Sequence, residues 1–345
     1  MKEVTKGIIA LVAILAITGG IYAYELFSLR VLKEGDFAEI YYIAYYAENK
    51  TVFASSFQEN VSYDAPFDTK QYNLTPLKIY LGEGFPKKYP KGWNYGDLGL
   101  IEGLRVNEIK GLYKALIGMK KGEEKIIDLK PSEAFGLAVE NGTIFNSSII
   151  LGFEGKFEIV GIGGVTVDLK WLPEIGMKFT MPQYWYNTPI TEPYWIWENA
   201  TEVVSYNDTH VVLKVTPNQL DNLTLYPWWE GASNASYNET KIWITTTPPS
   251  TNFTISMFGY TVEGKVLEIT KDKIKVELSM GNMTQEQEIN RTIVMNRTIE
   301  LPRIFKDVQK IYVEQDLKAL GYSFHKLAGE EVVFRVKLLK IYRVS

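Results

Sequence analysis

Fourteen Asn-x-Ser/Thr triplets stand in the chain, at Asn49, Asn60, Asn73, Asn141, Asn146, Asn199, Asn207, Asn222, Asn234, Asn238, Asn252, Asn282, Asn290 and Asn296. Chance would place about two, so the pattern reads as a set of acceptors for N-linked sugar on a chain that faces the outside. Other covalent chemistry is scarce. There is no cysteine, which removes disulfides, thiolate metal sites and a cysteine nucleophile together. His210 and His325 are the only histidines and lie far apart, so each reads as a satisfied or exposed imidazole, not a ligand. No metal and no cofactor is expected. Gly161 to Val165, GIGGV, lacks the strand-to-helix context of a nucleotide loop and reads as a turn. No carboxylate pair has a spacing that suggests hydrolysis. What remains is chemistry done by shape and burial.

At 345 residues, 46% hydrophobic and 13% aromatic, the chain is long and apolar enough for two or three folded domains. A net charge of −4 and the lack of a basic patch set nucleic acid aside as a partner. Lys2 and Lys6 precede an apolar, charge-free run, Gly7 to Tyr24, and Glu25 follows it. Its length and flanks predict an N-terminal transmembrane helix over residues 1–25, N-inside and C-outside, with extracellular functional domains. The alternative is a cleaved signal peptide, against which stand the length of the run and its poor cleavage site.

From Gly35, GDFAEIYYIAYYAENKTVFASSF reads as strand, polar turn, strand, with Ile40, Tyr42 and Ala44 on one face and Glu39, Tyr41 and Ile43 on the other. A short strand ends at Gly84, and a Gly- and Pro-rich loop runs on to Gly103. NEIKGLYKALIG predicts one helix, capped by Asn107, with Ile109, Leu112, Tyr113 and Leu116 on one face and Gly118 ending it. EEKIIDLKP is the next strand, and a long half-buried strand closes the chain, alternating Val332, Phe334, Val336 and Leu338 with Val333, Arg335, Lys337 and Leu339. The fold class expected is α+β, a small antiparallel sheet wrapped on one helix and interrupted by a large β-rich insertion. Pro302 to Gly321 reads as a capped helix with Ile304, Val308, Ile311 and Tyr312 inward. Gly264 to Asn282 repeats the strand–turn–strand rhythm of Ala200 to Asn218; a degenerate repeat and ordinary hairpin periodicity account for it equally well.

The runs GDFAEIYYIAYY, PLKIYLG, EIKGLYKALIGMKKGEEKIIDLKPSEAFG and LAGEEVVFRVKLLKI resemble the FKBP family of peptidyl-prolyl cis-trans isomerases, in its SlyD-like branch. The resemblance implies an FKBP-like domain split into residues 30–136 and 326–345. Residues 137–325 would be an inserted domain over the active-site cleft, insert-in-flap-like over about 145–218. The rest of the insertion, with a helix near 303–320, has no counterpart in the resemblance. It further implies a prolyl isomerase with chaperone-like binding of unfolded polypeptide clients. The family's pocket positions fall on Tyr42, Phe53, Leu77, Ile79, Ile109, Leu112, Phe135 and Phe334. All eight would serve equally well as ordinary core. Two departures stand out: Ala54 where the family usually carries aspartate, and Phe135 where it usually carries tyrosine. Leu112 in place of a tryptophan agrees with the SlyD-like branch.

Such a reaction needs no nucleophile. The barrier to X–Pro rotation is amide resonance, about 18–20 kcal/mol. A catalyst has only to bind the twisted, less dipolar amide better than either planar form, which an apolar, water-poor cleft does. Seven of the eight tryptophans lie in the insertion. Trp185, Trp195 and Trp197, in MPQYWYNTPITEPYWIW, are the candidates for gripping clients, with core packing and stacking on sugars as the other uses of such residues. Ala54 and Phe135 also leave room for a non-enzymatic surface module that binds polypeptide or glycan on a degenerate isomerase core.

Overall fold

The computed structural model describes residues 31–257 and 260–344. The expected N-terminal transmembrane helix lies outside the described residues; among these, no helix is long and apolar enough to cross a membrane. The chain divides into two compact units, Met1–Val139 with Lys318–Ser345, and Glu140–Leu317.

The first unit begins with β1 (Phe37–Tyr46), β2 (Val52–Ser55) and β3 (Leu77–Tyr80), followed by α1 (Lys110–Leu116), β4 (Glu124–Leu129) and β5 (Leu137–Ala138). The chain leaves here for the second unit.

That unit holds β6 (Ile144–Ser147), β7 (Gly155–Ile162), β8 (Thr166–Trp171), β9 (Lys178–Phe179), β10 (Tyr184–Trp185), β11 (Thr188–Pro189), β12 (Thr201–Tyr206) and β13 (His210–Val215). After these come β14 (Ser233–Tyr237), β15 (Lys241–Thr246), β16 (Asn252–Met257), β17 (Tyr260–Ile269), β18 (Lys273–Met280), β19 (Met283–Asn290), β20 (Thr292–Asn296), β21 (Thr298–Pro302) and β22 (Ile304–Gln309). Then α2 (Ile311–Ala319) leads back to β23 (Tyr322–Ser323) and β24 (Val332–Tyr342).

In the first unit β24 pairs antiparallel with β1 on one side and β4 on the other, in a sheet of order β2-β1-β24-β4, with β3 also on β1. Alternation divides β1: Ile40, Tyr42 and Ala44 join the core beneath α1, while Ile43 and Tyr45 pack with Phe57, Phe67 and Val333 on the opposite face. Both faces are therefore covered, and β1 reads as a nearly unbroken apolar run for that reason. The helix is short because Gly118, at φ +89°, turns the chain in the left-handed region. Asn107 is not its cap. It lies in a 3-10 turn, Val106–Glu108, and its side-chain amide donates to the carbonyls of Gly82 and Gly84, pinning the loop after β3.

The α+β expectation is not met. Among the described residues the chain is mostly strand, with two α-helices of seven and nine residues. The helix expected from Pro302 is largely β22, paired with β8 through Ile304↔Lys170, Phe305↔Leu169, Val308↔Val167 and Gln309↔Thr166. Its register shifts between Phe305 and Val308, and Asp307 takes φ +56°. A bulge of this kind turns inward-facing side chains three apart instead of two, a spacing that imitates a helix. The true helix begins later, with Val313 and Leu317 inward, while Ile311 is 74% and Tyr312 46% exposed.

The second unit is built by repetition. Hairpins β7–β8, β12–β13 and β17–β18 each carry one bulge at the same place, between Ile159 and Gly161, Val203 and Ser205, and Val266 and Glu268. Each turn is closed by the same backbone bond, Gly163 to Thr166, Asn207 to His210 and Thr270 to Lys273, and β14–β15 closes likewise from Asn238 to Lys241. The returning chain then supplies one more strand to each hairpin in reverse order: β19 to β18, β20 to β15, β21 to β13 and β22 to β8. The insertion is thus a nest of hairpin modules sharing one return path.

Single arginines separate those return strands: Arg291, Arg297 and Arg303. Each makes the same junction. Its carbonyl accepts from the N–H of Thr246, Val215 or Trp171, and its Nε donates back to the carbonyl of that same residue, at 3.4, 3.0 and 2.7 Å. Its backbone N–H donates to the next hairpin's turn, at Asp272, Thr240 or Thr209, and a terminal guanidinium nitrogen donates to Thr270, Asn238 or Asn207 in that turn. Only a planar fork with several donors reaches both places at once.

Candidate active site

All eight residues singled out from the sequence meet in one core of the first unit. Tyr42, Ile79, Ile109, Leu112, Phe135 and Phe334 are buried in it, and Phe53 and Leu77 pack against it half-buried. Strand alternation on β1 and β24 turns Tyr42 and Phe334 to the same side, α1 supplies Leu112, and the 3-10 turn after Pro131 delivers Phe135. Leu77 lies so close over Gly99 that a Cβ there would sit 2.1 Å from its Cδ1. The glycine is what lets the 81–104 loop fold down onto β3.

Phe53 is the hub of the aromatic wall. Its ring is edge-on to Phe135 at 6.2 Å and to Phe334 at 6.4 Å, and tilted against Tyr46 at 5.2 Å. Such edge-to-face contacts are worth about 0.5–1.5 kcal/mol beyond area burial and hold rings at fixed angles. Phe53 and Leu77, half-buried, are the least covered of the eight. The Tyr42 hydroxyl is pushed up to about 12, mainly by burial and then by the negative Glu102. It stays a neutral donor and puts no charge into the apolar site. Polar backing for the core comes from Ser56, whose buried hydroxyl accepts from the N–H of Tyr42 at 3.0 Å.

Three residues that sequence reasoning did not single out border this core: Glu102, His325 and Lys326. Glu102 holds φ +51° in a tight turn, and its carboxylate pairs with the Lys326 ammonium. The Nε2 of His325 meets the Glu102 carbonyl at 2.7 Å, and its Nδ1 accepts from the N–H of Leu327 at 3.1 Å. Nδ1 therefore lacks a proton and Nε2 carries one. The ring lies flat against Phe135, 4.7 Å between centroids and 12° between planes. No local pattern in the sequence signals this, because 190 residues separate Phe135 from His325.

Of the three tryptophans, two do not present an open surface. Trp185 and Trp197 are 2% and 1% exposed, and their indole N–H groups donate to the carbonyls of Pro302 and Gln219 at 2.7 and 2.8 Å. Trp185 belongs to an aromatic core with Trp171, Phe179 and Phe305. Their size and single polar atom, satisfied by backbone, made them filling for a β-rich interior. Trp195 is half-exposed.

The arrangement is an apolar, aromatic cluster between the sheet and one helix, edged by the half-buried Phe53 and Leu77. Residues 30–154 match the family model of the FKBP-type peptidyl-prolyl cis-trans isomerases. No curated protein matches the chain. The FKBP-type match covers β1 to β4 and the 3-10 turn bearing Phe135, and it stops in the second unit. The strand that completes this sheet, β24, lies outside the match, comes from the other end of the chain and brings Phe334 with it. FKBP-type isomerases act on polypeptide X–Pro bonds, and among the described residues no group of side chains is arranged to hold a metal ion.

Proposed function

We propose that the protein is an active prolyl isomerase of the SlyD-like branch, whose insertion binds unfolded polypeptide. The observation that carries the reading is the meeting, in one core, of Phe53, Phe135, Tyr42, Leu77, Ile79, Ile109 and Leu112 from the segment that matches the FKBP-type family with Phe334 from the last strand. A proline ring enters between Phe53 and Leu77, and its amide twists where water cannot solvate the planar dipole. Support for the SlyD-like branch comes from where the chain departs and returns: it leaves the first unit after Val139, re-enters it at Lys318, and the strand that completes the sheet begins at Val332. With Trp185 and Trp197 in the interior, client binding falls to exposed side chains such as Tyr184, 60% exposed, and to half-exposed Trp195.

The test is refolding of a protein limited by prolyl isomerisation in the presence of the full chain. The slow phase, tens to hundreds of seconds unassisted, is expected to shorten at substoichiometric enzyme. An unchanged slow phase at equimolar enzyme would refute isomerase activity. Loss of client binding in Trp195→Ala with turnover intact would separate the two activities.

We also propose that both units lie outside the cell membrane and carry N-linked glycans. All fourteen sequon asparagines are exposed. Asn207 and Asn238 sit exposed in equivalent hairpin turns, where each Oδ1 accepts from three nearby donors. Intact-mass analysis of protein made in its own host should exceed the 39.4 kDa of the polypeptide by several glycan masses. A mass equal to the bare chain would overturn the proposal.

A further inference from the structure

Phe135 has no polar atom to fix its orientation, yet it forms a wall of the prolyl site. On its site-facing side stands the edge of Phe53, at 6.2 Å. Behind it the His325 imidazole is stacked at 4.7 Å, itself held at both nitrogens. Its Nε2 reaches the Glu102 carbonyl and its Nδ1 takes the Leu327 N–H, while the backbone N–H of His325 donates to Ser323 Oγ at 3.0 Å. The backbone around Phe135 is tied to the same segment. A Cβ on Gly136, at φ +91°, would lie 2.7 Å from Ser323 Cβ, the Leu137 N–H donates to Gly321, and the Gly136 carbonyl accepts from Gly329. An imidazole with both nitrogens satisfied by backbone cannot turn without breaking a bond, so its plane is set by the chain and transmits that setting to the ring it covers.

We propose that His325 is a positioning residue of the prolyl site, which acts by stacking on Phe135 and holding that ring at the angle the twisted amide requires. The inference rests on the isomerase reading above. It also gives the inserted architecture a local consequence, since the residue that braces this wall is available only once the chain has returned from the second unit.

Two variants separate the stack from the hydrogen bonds. His325→Phe keeps a flat ring and loses both polar contacts; His325→Gln keeps a donor and an acceptor and loses the ring. The full chain is assayed on an X–Pro tetrapeptide, with 4-fluorophenylalanine at position 135 reporting the wall by fluorine NMR. His325→Gln is expected to lower kcat about tenfold with KM little changed, because misplaced catalytic contacts cost rate more than binding. Its fluorine resonance should move and broaden, while His325→Phe stays within about twofold of the parent rate and keeps a sharp line. If His325→Phe loses activity while His325→Gln keeps it, the hydrogen bonds carry the effect and the proposal is overturned; equal loss in both variants overturns it too, because the stacked ring then does not hold the wall. It is overturned as well if neither variant moves the rate or the resonance. Should the parent protein itself show no catalysis, the functional reading fails, and the fluorine line in the two variants still decides whether His325 orders Phe135.

Discussion

Replacing Phe334 by alanine should lower the stability of the FKBP-type unit by about 3–5 kcal/mol, the usual consequence of removing a fully buried phenylalanine from a core that cannot close over the gap. Phe334 is completely buried, stands opposite Ala44 and Ile127 in the two ladders of β24, and meets the Phe53 edge at 6.4 Å. Ala44 is too small to fill the space. Hydrogen exchange is the suitable measurement because the protein has two compact units: amides of β1 and β24 should lose protection by about two to four orders of magnitude. Amides of β7 and β8 should keep theirs. Phe53→Ala is the informative companion. Phe53 is half-buried, so its loss leaves less of a void, yet it touches both other phenylalanines of the wall. Turnover should fall about a hundredfold while exchange in β1 changes little. If Phe53→Ala kept full turnover with the fold intact, the assignment of the prolyl site to this core would be wrong.

The first unit was legible where one segment carries its own pattern. The two faces of β1 follow from alternation, and the turn after α1 follows from Gly118. The boundary errors share a cause. Asn107 looks like a cap because its side chain can accept, but here the amide group donates to two carbonyls of a loop distant in sequence. Ile304 and Val308 look helical because a bulge widens the strand's period. Neither competing interaction is local, so neither appears in a window of neighbouring residues. The tryptophans show the same limit from the side of burial. Trp185 and Trp197 lie among Pro, Thr and Asn, a loop-like composition, and only the carbonyls of Pro302 and Gln219 reveal that their indoles are interior. The repeats are a different case. SYNDT at Ser205 and SYNET at Ser236, and NRTI at Asn290 and again at Asn296, are visible in the sequence. Their relation is not, because the first pair marks hairpin turns and the second marks the strands that return past them. A nested order separates the two halves of each module by up to 130 residues or so, and periodicity searches look for tandem copies.

Arg303→Ala should therefore do more harm than its single charge suggests. Its guanidinium, 6% exposed, donates to the carbonyls of Trp171 and Asn207 and lies 4.2 Å above the Tyr206 ring. Removing it strands two backbone acceptors where water has little access, at about 1–3 kcal/mol each, and forfeits a cation–π contact of about 0.5–2 kcal/mol. A total loss of about 3–5 kcal/mol is expected for the module formed by β12, β13 and β21. It would be read as rapid proteolysis or exchange over residues 201–215, with the amides of β1 and β24 in the first unit still protected. Arg297→Ala and Arg291→Ala should follow in that order. Arg297 and Arg291 are half-exposed, and the Nε bond lengthens from 3.0 Å to 3.4 Å between them. Arg303→Lys distinguishes fork geometry from charge. One ammonium on a flexible stem cannot span both carbonyls while covering Tyr206, so lysine should recover less than half of the loss. Full rescue by lysine would mean that charge alone holds the modules, and the junction would then be an ion site in an accepting cage instead of a two-ended clamp.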